Sequence, residues 1–249
     1  MYHMISKPES AAEIRYACPP ERFDRHMYNL KINGFNPVSL EQIEQHLLLN
    51  KPLPKNAVAI TLDDGFADNY NHAFPILNKH LIPATIFLTS GYLESTNQWM
   101  TPSGFPTKKM LDWQQIREMD KYNIAFGAHT VSHPKLTELD LTSAAYEILA
   151  SKKSIENNLG KACKHFAYPY GLCNTEHRNS VKSSGYTLAC STHSGFNNAE
   201  RDPFMLHRIE VYGNDSWWEL KQKMTFGTNK ASLLVPAKYY ANRLINRIL

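Results

Sequence analysis

Short apolar runs alternate with amphipathic helical patterns along almost the whole chain, and this alternation restricts the possible folds most. Residues 1–5, 57–62, 84–88, 124–127, 165–168 and 186–190 read as strands, brief and bounded by turn residues. Between them, Phe23, Met27 and Leu30 share one helical face ahead of Gly34, and Ser39 with Gln42 forms a capping box opening a helix through Leu49. A helical stretch over 69–80 is interrupted by Pro75, and Trp113, Ile116 and Met119 suit another helix. Ala145, Ile148, Leu149, Ile155 and Leu159 mark a long helix closed by Gly160, with Lys152 at the edge of its apolar face. Helices near 176–183 and from Asp215 or Ser216 through Met224 complete the series. Repeated strand–helix alternation predicts a parallel sheet with helical crossovers, either a barrel or an open doubly wound sheet. No linker, repeat or low-complexity tract interrupts it, so a single domain over 1–249 is expected.

Composition narrows the partners. Hydrophobic residues at 43 % with 20 % charged are ordinary for a soluble globular protein. A net charge of +4 without a basic run argues against nucleic acid. No apolar stretch approaches the ~20 residues that span a bilayer. The opening MYHMISKPES has neither the apolar core nor the cleavage site of a secretory signal, so a cytoplasmic location is expected, extending to the inner membrane face. Residues 239–249 mix Arg243 and Arg247 with Leu244, Ile245, Ile248 and Leu249. That pattern fits an amphipathic helix packed on the parent domain, with a membrane or partner contact as the alternative. The four cysteines lack C-x-x-C spacing and are expected to be free thiols, Cys163 and Cys173 pairing only if geometry allows.

Two clusters carry chemistry. Thr61-Leu62-Asp63-Asp64-Gly65 ends the 57–62 run with two adjacent carboxylates where the chain must leave the sheet. Like charges side by side repel unless a cation or a shared proton relieves them. His129-Thr130-Val131-Ser132-His133-Pro134 follows the 124–127 run. Its two imidazoles fall on one side of a single turn and can reach one cation, for which an aspartate and two histidines form a three-ligand set with open positions.

These segments resemble the first and second motifs of the polysaccharide deacetylases, the nodulation-protein-B-like group also called carbohydrate esterase family four. Phe166-Ala167-Tyr168-Pro169-Tyr170-Gly171 is similar to their third motif, closest to the FAYPYG-type exopolysaccharide subgroup, and the resemblance runs from Met1 to roughly Val211. It implies a distorted (β/α) barrel of about seven parallel strands, with Asp63, Asp64, His129 and the 168–170 turn at strand C-terminal ends, where barrel sites gather. It also implies a hydrolase acting on carbon–nitrogen bonds other than peptide bonds. The activity would be metal-dependent removal of N-acetyl groups from the amino sugars of a glycan. Asp64, His129 and His133 would hold the divalent ion, most simply zinc, with cobalt, nickel or iron also compatible with such a set. Asp63 would be the general base, Tyr170 after Pro169 would contribute a backbone oxyanion donor, and His207 in Met205-Leu206-His207 would be the general acid.

The chain departs from the family pattern at two points. Ala167 stands where an arginine usually orients the catalytic aspartate, and Arg208 is a candidate replacement whose position the sequence does not fix. A strand beginning after His207 would put that residue at the wrong end of a barrel, which leaves His193 as a rival acid. An O-acetyl esterase and a catalytically silent glycan-binding protein are the alternative functions. His3 could line the site, though a hydrogen-bonded core histidine is the simpler reading. The polar stretch 96–109 is either a substrate-shaping loop or a plain connector. Within it Trp99 is a better sugar-stacking candidate than Trp217 or Trp218, whose helical spacing suits the core.

Overall fold

The computed structural model describes residues 1–232 and 234–235, so the expected 239–249 helix lies outside the described residues. Helix α1 (Pro20–Ile32) leads to β1 (Asn36–Val38), α2 (Leu40–Leu49) and β2 (Ala57–Leu62). A π-helical turn, Asn69–Ala73, runs into α3 (Phe74–His80), followed by β3 (Ala84–Leu88), α4 (Trp113–Met119) and β4 (Ile124–Ala128). Then come α5 (Leu141–Leu159), β5 (His165–Ala167), α6 (Thr175–Ser183), β6 (Leu188–Cys190) and α7 (Trp217–Phe226).

The strands lie in chain order, β1 to β6, every neighbouring pair parallel. Strand β3 is buried along its whole length, as a parallel strand covered on both faces must be. Capping follows the sequence closely. Capping boxes open α2 at Ser39, α4 at Asp112, α6 at Asn174 and α7 at Ser216, while Gly160 and Gly227 close α5 and α7 in the left-handed conformation. Pro75 sits in the first turn of α3, where a missing N–H costs least.

The expected barrel forms, with six named strands among the described residues against an expectation of about seven. Residues 1–5 contribute single bridges, Tyr2 to Leu62 and Met4 to Ala17, because their other neighbour is irregular and no ladder extends across them. Strand β1, outside the runs read as strands, is three residues long, contains Pro37 and lies at the sheet edge, where a strand tolerates proline. Strands β5 and β6 are also shorter than their apolar runs.

The gap between β6 and β2 is bridged by two irregular segments. Leu206 bridges Cys190, and Ser191 N–H donates to Leu206 O at 2.9 Å. Val211 N–H donates to Met1 O at 3.0 Å, Tyr2 N–H to Thr61 O at 2.8 Å and Asp63 N–H to Tyr2 O at 3.0 Å. The 206–211 segment and the first residues thus close the barrel at the end where Asp63 emerges. A polar network anchors this closure. Lys223 of α7, fully buried, pairs with Asp215 at 2.5 Å, and Arg15 forks onto Glu210 at 2.7 and 2.8 Å. His26 of α1 bonds the Tyr2 hydroxyl at 3.1 Å and the Asp215 carbonyl at 3.1 Å.

The buried face of α5 is Ala144, Ile148, Ser151, Lys152 and Ile155, rotated from the expected one so that Leu149 faces outward. Lys152 is inside that face. Its ammonium reaches the Cys163 carbonyl, pairs with Glu156 at 2.9 Å and lies over the Tyr186 ring, so the charge is met on every side. All four cysteines are free thiols. No helix among the described residues is long and apolar enough to cross a membrane.

Candidate active site

Strand β2 delivers Asp63 and Asp64 at its C-terminal end, β4 delivers His129 at the corresponding position, and the loop after β4 returns His133 to the same point. Asp63, Asp64, His129 and His133 are each no more than 9 % exposed. Their backbone is unusual. Asp64, Thr130 and His133 adopt positive φ of 78°, 68° and 58°, and Tyr170 across the site has 58°. Non-glycine residues in that region cost roughly 1–3 kcal/mol each and persist where the surroundings over-determine them.

The two adjacent carboxylates have separate partners. Asp63 accepts both Nη groups of Arg208, at 2.7 and 2.8 Å, in a buried fork. Arg208 Nε donates to Ser191 O at 2.9 Å, and its guanidinium lies 5.6 Å from the Phe87 ring centroid. Burial pushes the Asp63 carboxyl up, but Arg208, His129 and His3 together outweigh it and hold its pKa well below the ordinary carboxylate range. Asp63 is therefore ionised and fixed in orientation. The charge expected at position 167 comes instead from Arg208, while the Ala167 carbonyl accepts from His129 Nδ1 at 2.7 Å.

Asp64 Oδ1 lies 3.5 Å from His129 Nε2 and 3.3 Å from His133 Nε2. One donor atom from each of the three residues falls within 4.8 Å of the others. Burial lowers the His129 pKa to about 4, so its imidazole is neutral near pH 7. With its proton on Nδ1 and spent on Ala167, Nε2 presents a bare lone pair to Asp64. Asp64 Oδ1 is buried without a hydrogen-bond partner. Lone pairs converging on one buried point, with no proton between two of them, are costly unless a cation sits there. Two imidazoles and a carboxylate suit zinc and its first-row neighbours. The residues therefore fit the ion that the resemblance implies.

Around this point the walls are aromatic. Trp99 lies 5.3 Å from the His133 ring and 4.7 Å from Tyr92, and half-exposed Tyr170 meets His133 edge-on at 4.8 Å. The 96–109 stretch is an ordered excursion. A Thr96–Lys109 bridge closes its base, and the buried Asn97 side chain bonds Pro106 O at 3.0 Å and Lys108 N at 2.7 Å. Trp217 instead packs on Phe35 at 6.3 Å, and Trp218 is exposed on α7. In the Tyr168-Pro169-Tyr170-Gly171 turn, Gly171 and Leu172 donate the closing bonds and the Tyr170 N–H takes no part. Gly171 has φ 70°, and a Cβ there would overlap Thr192 Oγ1, so only glycine fits.

His207 sits in the segment after β6. Its ring lies against Gly195 and 6.4 Å from the His193 ring, and Asn197 brackets its backbone at 2.8 and 2.9 Å. Both candidate acids thus gather in the 193–207 region. His3 follows Tyr2, whose carbonyl accepts the Asp63 N–H at 3.0 Å, so it lies beside the strand end that bears the two carboxylates. Its carbonyl is held by Asn69 Nδ2 at 2.9 Å and its ring by Tyr16 at 5.1 Å.

Six parallel strands curled into an incomplete barrel, with carboxylates and imidazoles gathered beyond the strand C-terminal ends, define a (β/α)-barrel enzyme. Residues 50–189 match the family profile described as Polysaccharide deacetylase. The protein YxkH of Bacillus subtilis is 29 % identical over 211 residues, covering 85 % of this chain and 70 % of its own. The poly-β-1,6-N-acetyl-D-glucosamine N-deacetylase of Staphylococcus epidermidis is 27 % identical over 223 residues, covering 86 % of this chain and 74 % of its own. The solved structure of the Streptococcus pyogenes deacetylase PplD, in complex with acetate, superposes with a TM-score of 0.77 at 29 % identity, covering 90 % of this chain and 96 % of that one. The chain belongs to the polysaccharide deacetylase family and is a hydrolase of that class.

Proposed function

We propose that this chain removes N-acetyl groups from the amino sugars of an exopolysaccharide of the poly-β-1,6-N-acetyl-D-glucosamine type, using a divalent cation, zinc first among the candidates. The observation that carries the reading is the division of labour at Asp63 and Asp64. One carboxylate is locked ionised by Arg208, and its neighbour is turned with two imidazoles onto one buried point. The Staphylococcus epidermidis relative points to the substrate class. Arg208 also supports catalysis over a silent binding role, because the charge missing from position 167 is restored.

Asp64, His129 and His133 would hold the cation, which when bound supplies Lewis acidity toward the acetyl carbonyl and lowers the pKa of water from 15.7 toward about 7. Asp63 is aimed and ionised to take a proton from the attacking water. That matters because Arg208 makes it a weak base, suited only to an acidified donor. As the water oxygen bonds to the carbonyl carbon, charge grows on the carbonyl oxygen, and the Tyr170 N–H, which takes no part in the turn's own bonding, is the donor assigned to meet it. Collapse breaks the carbon–nitrogen bond. The leaving amine needs a proton, and we assign that step to His3, next to the Tyr2 carbonyl that takes the Asp63 N–H, with His207 as the alternative donor. The products are acetate and a free amino sugar. Trp99 and Tyr170 offer faces for the pyranose ring beside the site.

The test is acetate release from N-acetylglucosamine oligomers and from O-acetylated xylan, on wild type and Asp63→Asn, before and after chelation and zinc return. Expected are preference for the N-acetyl substrate, loss on chelation with recovery on zinc, and a roughly 10²–10⁴-fold lower rate in the variant. Turnover indifferent to chelator would overturn the cation's role, and full activity in Asp63→Asn would overturn the assigned base.

A further inference from the structure

The 129–134 loop must place His129 and His133 on one point while passing through two left-handed residues, Thr130 and His133. Such a loop needs its backbone groups held from outside. Its carbonyls are held by the loop after β3. Ser90 N–H donates to Thr130 O at 3.1 Å and Gly91 N–H to Val131 O at 2.9 Å. Thr130 Oγ1 accepts the His133 N–H at 3.0 Å. The two remaining donors at the tip, the N–H groups of Val131 and Ser132, both go to Oε2 of Glu147, at 2.7 and 2.9 Å. Glu147 Oε1 accepts the Ser132 hydroxyl at 2.6 Å. One half-buried carboxylate on α5 thus gathers three donors from the residues lying between the two imidazoles. Helix α5 packs on β4, so the carboxylate is carried on a rigid element that shares a face with the strand bearing His129.

We propose that Glu147 is the positioning residue of the cation site. Clamping the Val131–Ser132 peptide, it holds His133 in its left-handed conformation with Nε2 turned toward Asp64. The inference rests on the reading of Asp64, His129 and His133 as cation ligands. Glu147 bonds the loop backbone and the Ser132 hydroxyl, and none of the three ligand side chains. Its effect is on how much of the apoprotein has the two imidazoles ready to bind, and it therefore appears in affinity before it appears in chemistry. Groups that orient ligands in this way typically change metal affinity by about 10–100-fold when removed.

The experiment measures zinc affinity by chelator competition on the full chain, for wild type, Glu147→Ala, Glu147→Gln and Ser151→Ala. The last removes a buried hydroxyl from the same helix that bonds the Ile148 carbonyl, away from the loop, and controls for a loosened α5. Glu147→Ala is expected to weaken zinc binding at least tenfold, with turnover largely recovered at saturating zinc. Glu147→Gln, whose carbonyl oxygen can still accept both N–H groups, is expected to retain most of the affinity, and Ser151→Ala is expected to bind as wild type does while melting lower. Wild-type zinc affinity in Glu147→Ala, or an equal loss in Ser151→Ala, would refute the positioning role while leaving the ligand assignment intact. Failure of the wild type itself to bind zinc would refute both.

Discussion

Replacing Arg208 by methionine is the most incisive perturbation of this site. Methionine approximates the length of the arginine side chain but brings no charge and no donors. Asp63 would keep its burial and lose its fork of 2.7 and 2.8 Å bonds. Removing one partner of a buried pair leaves an uncompensated charge and costs about 3–5 kcal/mol. At about 2–4 °C per kcal/mol for a domain of this size, the melting temperature should drop by roughly 6–20 °C. The pH dependence is more diagnostic than the size. In the wild type Asp63 has a depressed pKa, so its contribution is complete above the unfolded value of about 4 and is lost only as pH falls through the lower folded value. Without the guanidinium, burial is the largest remaining influence and raises the folded pKa above the unfolded one. The carboxylate then penalises folding at neutral pH, and the penalty is relieved as pH falls toward about 4.

Chemical denaturation at several pH values measures this directly. Between pH 7 and pH 5 the stability gap between wild type and Arg208→Met should narrow, and Arg208→Met/Asp63→Asn should recover most of the loss because no buried charge is left unpaired. Activity should fall in Arg208→Met and return only partly in Arg208→Lys, which restores charge without the planar fork. A stability loss below about 1 kcal/mol, the scale of exposed ion pairs, with no narrowing of the gap on acidification, would refute the claim that Arg208 holds Asp63 ionised.

Other outcomes follow from the same geometry. His3→Gln should lower kcat on N-acetylated oligomers by about 10²–10⁴-fold, whereas His207→Gln should leave kcat within a few-fold of wild type, because its ring faces Gly195 and His193; steady-state kinetics on both variants decides between them. Gly171→Ala should destabilise by more than about 1 kcal/mol and reduce turnover, since it combines φ 70° with an overlap on Thr192, and calorimetry with an acetate assay would detect both effects. Burial raises the Asp68 carboxyl to about 6, above its unfolded value, so it contributes a loss of stability as pH rises from about 4 to about 6. Asp68→Asn should flatten that part of the stability–pH profile, and a slope unchanged between pH 4 and 6 would exclude Asp68 as its source.

What could be read from the sequence follows from how local each feature is. The β2, β3 and β4 cores were legible because their apolar runs are continuous, and the helix starts because Ser39 and Ser216 carry their caps within three residues. Asp64, His129 and His133 were legible as a group because each follows a strand at the same end of a parallel sheet, where topology alone brings them together. Arg208 and His3 belong to a different kind of contact. Both sit on the irregular segments that close the barrel between β6 and β2, and no periodicity announces such segments, because they make single bridges and no ladder. The same irregularity is why the sequence left the placement of His207 open. In a regular ladder the residue beside Arg208 would project at the strand end. Here Asn197 holds the His207 backbone on both sides and its ring goes to Gly195, which lets the next residue, Arg208, turn inward to Asp63. With Ala at position 167, Asp63 takes its guanidinium partner from across the barrel's closure, so in this chain the carboxylate's electrostatics depend on Arg208 and not on the third motif.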